Sequence, residues 1–102
     1  MPALKRHRLV RADLREAFNW YDERKPGLGL EFMAEVRLVC RRLKRNPLRN
    51  PARFAQVRRA NMSRFPYGIF YVIRPEYVVI VAVLHTSRDT AAILAQRHVL
   101  PD

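Results

Sequence analysis

Arginine and histidine are the residue types through which this chain could bind a ligand or transfer a proton. Lys+Arg number 20 against 9 Asp+Glu, which gives a formal net charge of +11 at pH 7. The planar guanidinium group binds phosphate and carboxylate groups in a bidentate geometry, and imidazole can exchange protons near neutral pH. The candidates for binding a target or a partner are Arg58, Arg59, Arg64, His85, Arg88 and Arg97.

Each of these six residues could also have a purely structural role. An arginine can be solvated, or it can pair with an acidic residue such as Glu31 or Glu35. His85 ends a very apolar run, so it could be a general acid–base group or could hydrogen-bond a backbone group at the end of a strand. For the whole set, the excess of positive charge favours a polyanionic or acidic partner.

The sequence predicts neither a metal site nor a cofactor. The three histidines are far apart and lack the spacing of metal ligands. Gly27 and Gly29 lie in a Pro-Gly-Leu-Gly connection between two helical patterns, which is the wrong context for a phosphate-binding glycine loop. Cys40 falls within an apolar helical pattern, so we expect a buried thiol rather than a nucleophile.

Length and composition predict one domain over residues 1–102. An apolar content of 49% supplies one modest core, and a single cysteine excludes an internal disulfide, in agreement with a reducing compartment. The longest apolar run, residues 77–84, is far shorter than the roughly 20 residues of a membrane helix. No apolar signal segment follows the basic start. We therefore expect a soluble, cytoplasmic protein without a membrane partner.

The most apolar part of the chain predicts the strands that carry His85. Residues 67–73 and 77–85 are rich in aromatic and β-branched side chains and are separated by a short turn with Pro75, which indicates a β-hairpin. Both runs are almost continuously apolar, so both strands should be central and covered on both faces. His85 and Arg88 then lie where the second strand ends.

Two helices precede this hairpin in the sequence. The first, over residues 12–24, has apolar residues at helical spacing. These are Leu14, Ala17, Phe18 and Tyr21. The second, over residues 30–45, has a similar stripe from Phe32 to Leu43 and ends before Asn46-Pro47. The connection between them is short, so we expect an antiparallel helical hairpin lying on the sheet.

The remaining segments complete an α+β fold. They are a basic edge strand over 4–10, an irregular loop over 48–54, a strand over 55–63 and a short C-terminal helix over 89–96. Arg58 and Arg59 are consecutive on the strand, so they should point to opposite faces, and this strand should pair with 67–73. The order β-α-α-β-β-β-α predicts a small antiparallel-rich sheet with an N-terminal helical hairpin packed on one face.

Several short motifs, taken together in the order in which they occur along the chain, resemble those of the RelE/ParE toxin superfamily. They are Asp13-Leu14-Arg15-Glu16-Ala17, Trp20-Tyr21, Pro26-Gly27-Leu28-Gly29, Asn46-Pro47, Phe65-Pro66-Tyr67, and Ala82-Val83-Leu84-His85 followed by Arg88. The resemblance covers almost the whole chain and implies the same α+β fold. It also implies one of two activities. RelE-like members cleave messenger RNA in the ribosome with basic residues on the sheet and a C-terminal tyrosine, whereas ParE-like members poison DNA gyrase.

The residues at the ends of the hairpin favour the ParE-like branch of this resemblance. The RelE arginine of the third strand falls at Gly68, the arginine after the last strand falls near Ser87, one residue before Arg88, and no tyrosine follows Tyr77. We therefore expect the toxin of a type II toxin–antitoxin system that inhibits DNA gyrase without catalysis and is neutralised by a cognate acidic antitoxin. Two alternatives stay open: a ribosome-dependent mRNA endoribonuclease, and a non-toxic module that binds an antitoxin.

Overall fold

A computed structural model describes residues 3–97 of the chain. Its elements are β1 (Ala3–Arg6), α1 (Val10–Arg24), α2 (Leu28–Arg45), a 3-10 turn (Pro47–Arg49), β2 (Ala52–Phe54), β3 (Val57–Asn61), β4 (Tyr67–Ile73), β5 (Tyr77–His85) and α3 (Thr90–Gln96). The strands form one sheet in the order β1-β5-β4-β3-β2. Strand β1 runs parallel to β5, and the other pairs are antiparallel. The predicted α+β fold is confirmed.

The apolar hairpin is the centre of this sheet, as its composition predicts. Tyr67 pairs with His85 at one end of the hairpin, and Ile73 pairs with Val78 at the other. One face of β4 and β5 packs against α1 and α2, and the other face packs against Leu94 of α3. Because both faces are covered, both strands are apolar at nearly every position.

The first strand is shorter than the sequence suggests. The predicted strand over 4–10 was wrong beyond Arg6, because the chain turns there and Val10 begins α1. The backbone N–H of Leu9 donates to His7 Nδ1 at 3.1 Å, and the Val10 N–H donates to the His7 carbonyl at 3.0 Å. Val10 is therefore buried in the core at 1% exposure rather than lying on an edge strand. Strand β1 itself is an edge strand, as predicted.

The helical hairpin packs tightly because its connection contains two glycines. Gly27 has a φ of 91°, a left-handed conformation that favours glycine. Asp22 Oδ1 accepts hydrogen bonds from the backbone N–H groups of Gly27 and Gly29 at 2.9 and 3.2 Å. Helix α2 consequently begins at Leu28, two residues earlier than predicted. Cys40 on α2 is buried as predicted, and burial raises the pKa of its thiol.

The predicted irregular loop over 48–54 was wrong in part, because it contains β2, which forms an edge of the sheet. Ala52 pairs with Arg58 and Phe54 pairs with Val57, with an irregularity between them. Strand β2 has only three residues and directly follows Pro51, so no alternating pattern could reveal it. The predicted strand over 55–63 is narrower, since β3 spans Val57–Asn61. Within residues 3–97, no helix has the length and apolar character needed to cross a membrane.

Candidate functional site

A cavity of about 410 Å³ opens between α1 and the ends of β4 and β5. Its lining includes Trp20 and Tyr21 of α1, Tyr67 of β4, His85 of β5 and Arg88 just after β5; we call it the His85 pocket. The register of the central hairpin sets Tyr67 opposite His85, so both side chains reach the same end of the sheet. The pocket therefore contains two of the six sequence candidates, His85 and Arg88.

His85 has a fixed orientation at the mouth of this pocket. Its Nδ1 accepts a hydrogen bond from the backbone N–H of Ser87 at 3.0 Å, the interaction with a backbone group that the sequence allowed for it. Its ring meets the Tyr67 ring edge-on, with centroids 5.3 Å apart and planes at 80°. The imidazole therefore presents Nε2, rather than Nδ1, to any ligand.

Tyr67 is a neutral phenol in this environment. Burial is the main cause that raises the pKa of its hydroxyl, and Tyr21 and Glu16 act in the same direction. Arg88 opposes this shift by attracting the phenolate. Because the net pKa lies above its ordinary value, the Tyr67 hydroxyl is a hydrogen-bond donor at neutral pH rather than a base.

Arg88 is available at the rim of the pocket. The nearest carboxylate, on Glu16, lies 3.9 Å away, and the two side chains are 50% and 79% exposed. An exposed pair at that distance contributes little binding energy because water and salt screen it. The Arg88 guanidinium is therefore free to exchange Glu16 for a carboxylate or phosphate of a partner.

Trp20 lines the same pocket, although it is not among the six candidates that the sequence predicts. Its side chain is 49% exposed, and the Arg24 guanidinium lies over its ring at 3.2 Å from the centroid while donating to the Trp20 carbonyl at 2.8 Å. An exposed indole beside a pocket is typical of an anchor in a protein interface. The sequence feature that could have identified Trp20 as a binding residue is its position off the apolar stripe of α1, on a face that is otherwise polar.

Arg58 stabilises the segment that leads into β2. It faces the helical side of the sheet, paired with Tyr71 of β4, and its guanidinium donates to the carbonyls of Leu48 and Asn50. The Tyr71 hydroxyl donates to the Pro47 carbonyl at 2.6 Å in the same region. The guanidinium of Arg58 is thus held by the 3-10 turn and by the segment just before β2, and Arg58 does not line the His85 pocket.

Arg64 lies in the turn between β3 and β4 and is tied to α2. Its Nη2 donates to Glu31 Oε1 at 2.7 Å, the ionic pairing that the sequence allowed. Both side chains are about half exposed, at 58% and 44%. Glu35 holds the same turn by accepting backbone hydrogen bonds from Ser63 and Arg64.

Arg97 is directed into the protein. Its guanidinium donates to both carboxylate oxygens of Asp13, at 2.6 and 2.7 Å, and to the Val81 carbonyl at 3.0 Å. The Arg97 and Asp13 side chains are only 10% and 9% exposed. Asp13 also accepts from the Val83 N–H at 3.0 Å, so this pair joins the end of α3 to α1 and β5.

Arg59 points to the face of the sheet opposite Arg58, as consecutive strand positions predict. It pairs with Phe70 of β4, which belongs to the core cluster beneath α3. The six candidates thus lie in several different places, and the structure brings only His85 and Arg88 together. In the region from Ala3 to Arg97, no group of three or more His, Cys, Asp or Glu side chains could hold a metal ion.

Comparisons with known proteins agree with this fold. A family model described as the ParE toxin of a type II toxin-antitoxin system, parDE, matches residues 4–90. Among solved structures, a chain of the chromosomal ParDE TA system from P. aeruginosa superposes with a TM-score of 0.75 at 19% sequence identity, covering 83% of this chain and 96% of that chain. At that identity the superposition shows the fold alone. A search of curated proteins finds no match.

The family match extends over most of the chain, from β1 to the start of α3. It includes α1 and both strands of the hairpin, and so every element that lines the His85 pocket. The resemblance found in the short motifs is therefore supported along the sequence and by the fold. The chain belongs to the ParE toxin family of type II toxin–antitoxin systems.

Proposed function

We propose that this toxin inhibits DNA gyrase by binding it, without catalysis of its own, and that a cognate acidic antitoxin neutralises it in the cytoplasm. The observation that carries the proposal is the dispersal of the candidate arginines within a ParE family fold. Arg58, Arg64 and Arg97 are each engaged in internal contacts in a different part of the molecule. Within residues 3–97 no arginine cluster surrounds His85, so a protein-binding surface is favoured over a composite nuclease centre.

The His85 pocket has the composition of such a surface. Trp20 offers a large aromatic anchor at the rim, Tyr67 and His85 form the wall, and Arg88 offers an exposed guanidinium that is only weakly paired with Glu16. A partner that inserts an apolar side chain here and directs a carboxylate to Arg88 would gain both burial and orientation. The net charge of +11 would speed association with an acidic antitoxin. An antitoxin segment covering this pocket would compete directly with the target.

The first test is supercoiling by purified gyrase with increasing amounts of the toxin. We expect inhibition that an excess of antitoxin reverses. Trp20→Ala should raise the toxin concentration needed for half-inhibition by about tenfold, because it removes the anchor. Leu48→Ala is the matched control, since Leu48 is 69% exposed but lies outside the pocket. Normal supercoiling in the presence of folded wild-type toxin would refute gyrase inhibition.

One observation keeps the mRNA endoribonuclease as a second candidate. The aliphatic part of the Arg59 side chain lies over Gly68, the position at which the superfamily resemblance expects an arginine, so an arginine side chain does lie beside that position. Pulse-labelling of DNA and protein synthesis after induction separates the two activities. An early fall in DNA synthesis supports gyrase inhibition, whereas early translation arrest with cleaved messages supports the nuclease. Unimpaired growth would support the non-toxic antitoxin-binding module.

A further inference from the structure

The second half of β5 lies at a free edge of the sheet. Strand β1 covers only the first half of β5, since its register ends where Arg6 lies opposite Ile80. Just after this point β4 and β5 shift register, which leaves Val81 as an extra residue on β5. Among residues 3–97, no strand pairs with residues 81–85 on the side away from β4. We call this stretch the β5 edge.

The hairpin determines which backbone groups point to the β5 edge. The Thr86 N–H donates to the Pro66 carbonyl at 2.8 Å, so it points toward β4. In an antiparallel strand, successive residues direct their N–H and C=O groups to opposite sides. The N–H and C=O groups of Val83 and His85 therefore point away from β4. The Val83 N–H confirms this direction, because it donates to Asp13 at 3.0 Å.

One ion pair covers the first part of the β5 edge. Arg97 donates to the Val81 carbonyl at 3.0 Å, and Asp13 accepts from the Val83 N–H at the same distance. A single residue of a parallel strand would make the same two hydrogen bonds, one through its N–H and one through its C=O. The buried Arg97–Asp13 pair thus takes the place of one residue in a strand that would continue β1.

The next two groups along the β5 edge are the Val83 carbonyl and the His85 N–H. Within residues 3–97, neither has a hydrogen bond outside the strand ladder, whereas the His85 carbonyl accepts from the Arg88 N–H at 3.0 Å. Leu84 lies between them and lines the His85 pocket, although its side chain packs in the core on the opposite face. The pocket therefore reaches the backbone of β5, where unpaired groups can pair with another chain.

The residues around this position indicate which segment fits. A residue that bonds both groups lies opposite Leu84, so the residue after it lies opposite His85, on the side of the His85 pocket. Trp20 and Tyr67 line that pocket, so a large apolar side chain would be buried there. Arg88 is exposed at the rim, where a neighbouring carboxylate of the segment can pair with it.

We propose that the β5 edge binds an extended acidic segment of a partner protein, which adds to the sheet parallel to β5 as a continuation of β1. One residue of the segment donates its N–H to the Val83 carbonyl and accepts from the His85 N–H. The following residue places an apolar side chain in the His85 pocket. This mode of binding rests on the proposed function for the presence of a protein partner, and it specifies that the partner binds as a strand rather than as a helix.

The test is fluorescence anisotropy with a labelled peptide of about six residues, composed of Glu and Val with one Phe. A methyl group on the amide nitrogen of the residue before Phe removes the donor to the Val83 carbonyl and should weaken binding by about tenfold. A methyl group on the Phe amide nitrogen is the matched control. That nitrogen points away from β5, so its methylation should change affinity by less than about twofold.

A pair of toxin variants tests the other hydrogen bond. His85→Ala removes the imidazole and keeps the backbone N–H, whereas His85→Pro removes both. Proline is tolerated in a strand where its nitrogen faces away from the neighbouring strand. His85→Pro should therefore bind the peptide about tenfold more weakly than His85→Ala. If thermal unfolding shows that His85→Pro does not fold, the two methylated peptides still test the site on the wild-type toxin.

Equal loss of affinity from the two methylated peptides would overturn the strand-binding site. Tighter binding of a peptide of the same composition that is cross-linked into a helix would also overturn it, as would absence of binding by the unmodified peptide. The assay contains no gyrase, so such a result would leave the supercoiling test of the proposed function unaffected.

Discussion

One buried carboxylate, that of Glu35, determines how the β3–β4 turn is attached to α2. Its Oε2 accepts hydrogen bonds from the Ser63 N–H at 3.0 Å and the Ser63 hydroxyl at 2.7 Å, and its Oε1 accepts from the Arg64 N–H at 3.0 Å. Burial opposes ionisation of Glu35, but these hydrogen bonds outweigh burial, so the net pKa is lowered. Since the turn leads directly into β4, Glu35 stabilises the entry to the central hairpin.

Glu35→Gln should destabilise the protein by about 1–3 kcal/mol at pH 7, because the amide NH₂ cannot accept from the donors that it would face. The folded-state pKa is lower than the unfolded one. The stability that Glu35 contributes is therefore complete above its ordinary pKa and is lost as pH falls through the folded value. Denaturant unfolding of both proteins should show the difference shrinking below about pH 4. Glu23→Gln, on an exposed site of α1, is the control. A difference that stays constant down to the lowest pH would contradict the assignment.

Arg97 and Arg88 are expected to have different roles: Arg97 stabilises the fold, whereas Arg88 contributes to binding. Arg97→Ala leaves the Asp13 carboxylate buried without its cation, and should cost about 3–5 kcal/mol in unfolding free energy. Arg88→Ala removes an exposed contact at 3.9 Å and should change stability by less than about 0.5 kcal/mol. Unfolding experiments and gyrase supercoiling assays on both variants distinguish the effect on stability from the effect on inhibition. We expect Arg88→Ala to weaken inhibition while the protein stays folded. Equal stability of the two variants would show that the Arg97–Asp13 pair is unimportant.

At the scale of elements, periodicity explains what the sequence could predict. Both long helices and the central hairpin have apolar patterns over many residues, whereas the pairing of Tyr67 with His85 also depends on a register shift between Phe70 and Tyr71 that the pattern does not reveal. Strand β2 has only three residues, so it exists only through pairing with β3. Its pairing with β3 was therefore invisible in the sequence. The position of Trp20 beside the pocket likewise depends on how α1 packs against the sheet.

Gly29 sets how closely α1 and α2 approach each other. A Cβ atom at this position would stand 2.8 Å from two atoms of the Phe18 ring and 2.9 Å from the Phe18 carbonyl oxygen. The carbonyl is backbone and cannot rotate away, so Gly29→Ala should force the helices apart and destabilise the protein by about 1–3 kcal/mol. Thermal unfolding would measure this. Leu30→Ala, at a neighbouring position that is 65% exposed, should unfold close to the wild-type temperature. A Gly29→Ala protein as stable as wild type would show that α2 can shift without cost.

At the scale of the whole molecule, charge is the dominant property. The chain carries 20 Lys+Arg, and residues 3–97 contain three ion pairs, of which only Arg97–Asp13 is buried. Most of the positive charge therefore lacks a carboxylate in that region and acts against the compact state through self-repulsion. A partner with acidic groups would relieve this repulsion on binding. The same charge that favours an antitoxin thus lowers the stability of the isolated toxin.

This balance predicts opposite effects of salt on folding and on binding. Raising NaCl from about 50 mM to about 500 mM shortens the Debye length from roughly 14 Å to roughly 4 Å, so the repulsion between surface cations is screened. The thermal unfolding temperature of the free toxin should rise over this range, whereas its association rate with an acidic antitoxin should fall steeply. Unfolding scans and stopped-flow mixing measure the two effects on one preparation. An unfolding temperature that falls with NaCl would mean that attractive pairs, such as Arg64–Glu31, outweigh the repulsion. An association rate that is independent of salt would mean that apolar contacts at Trp20, rather than charge, control the encounter.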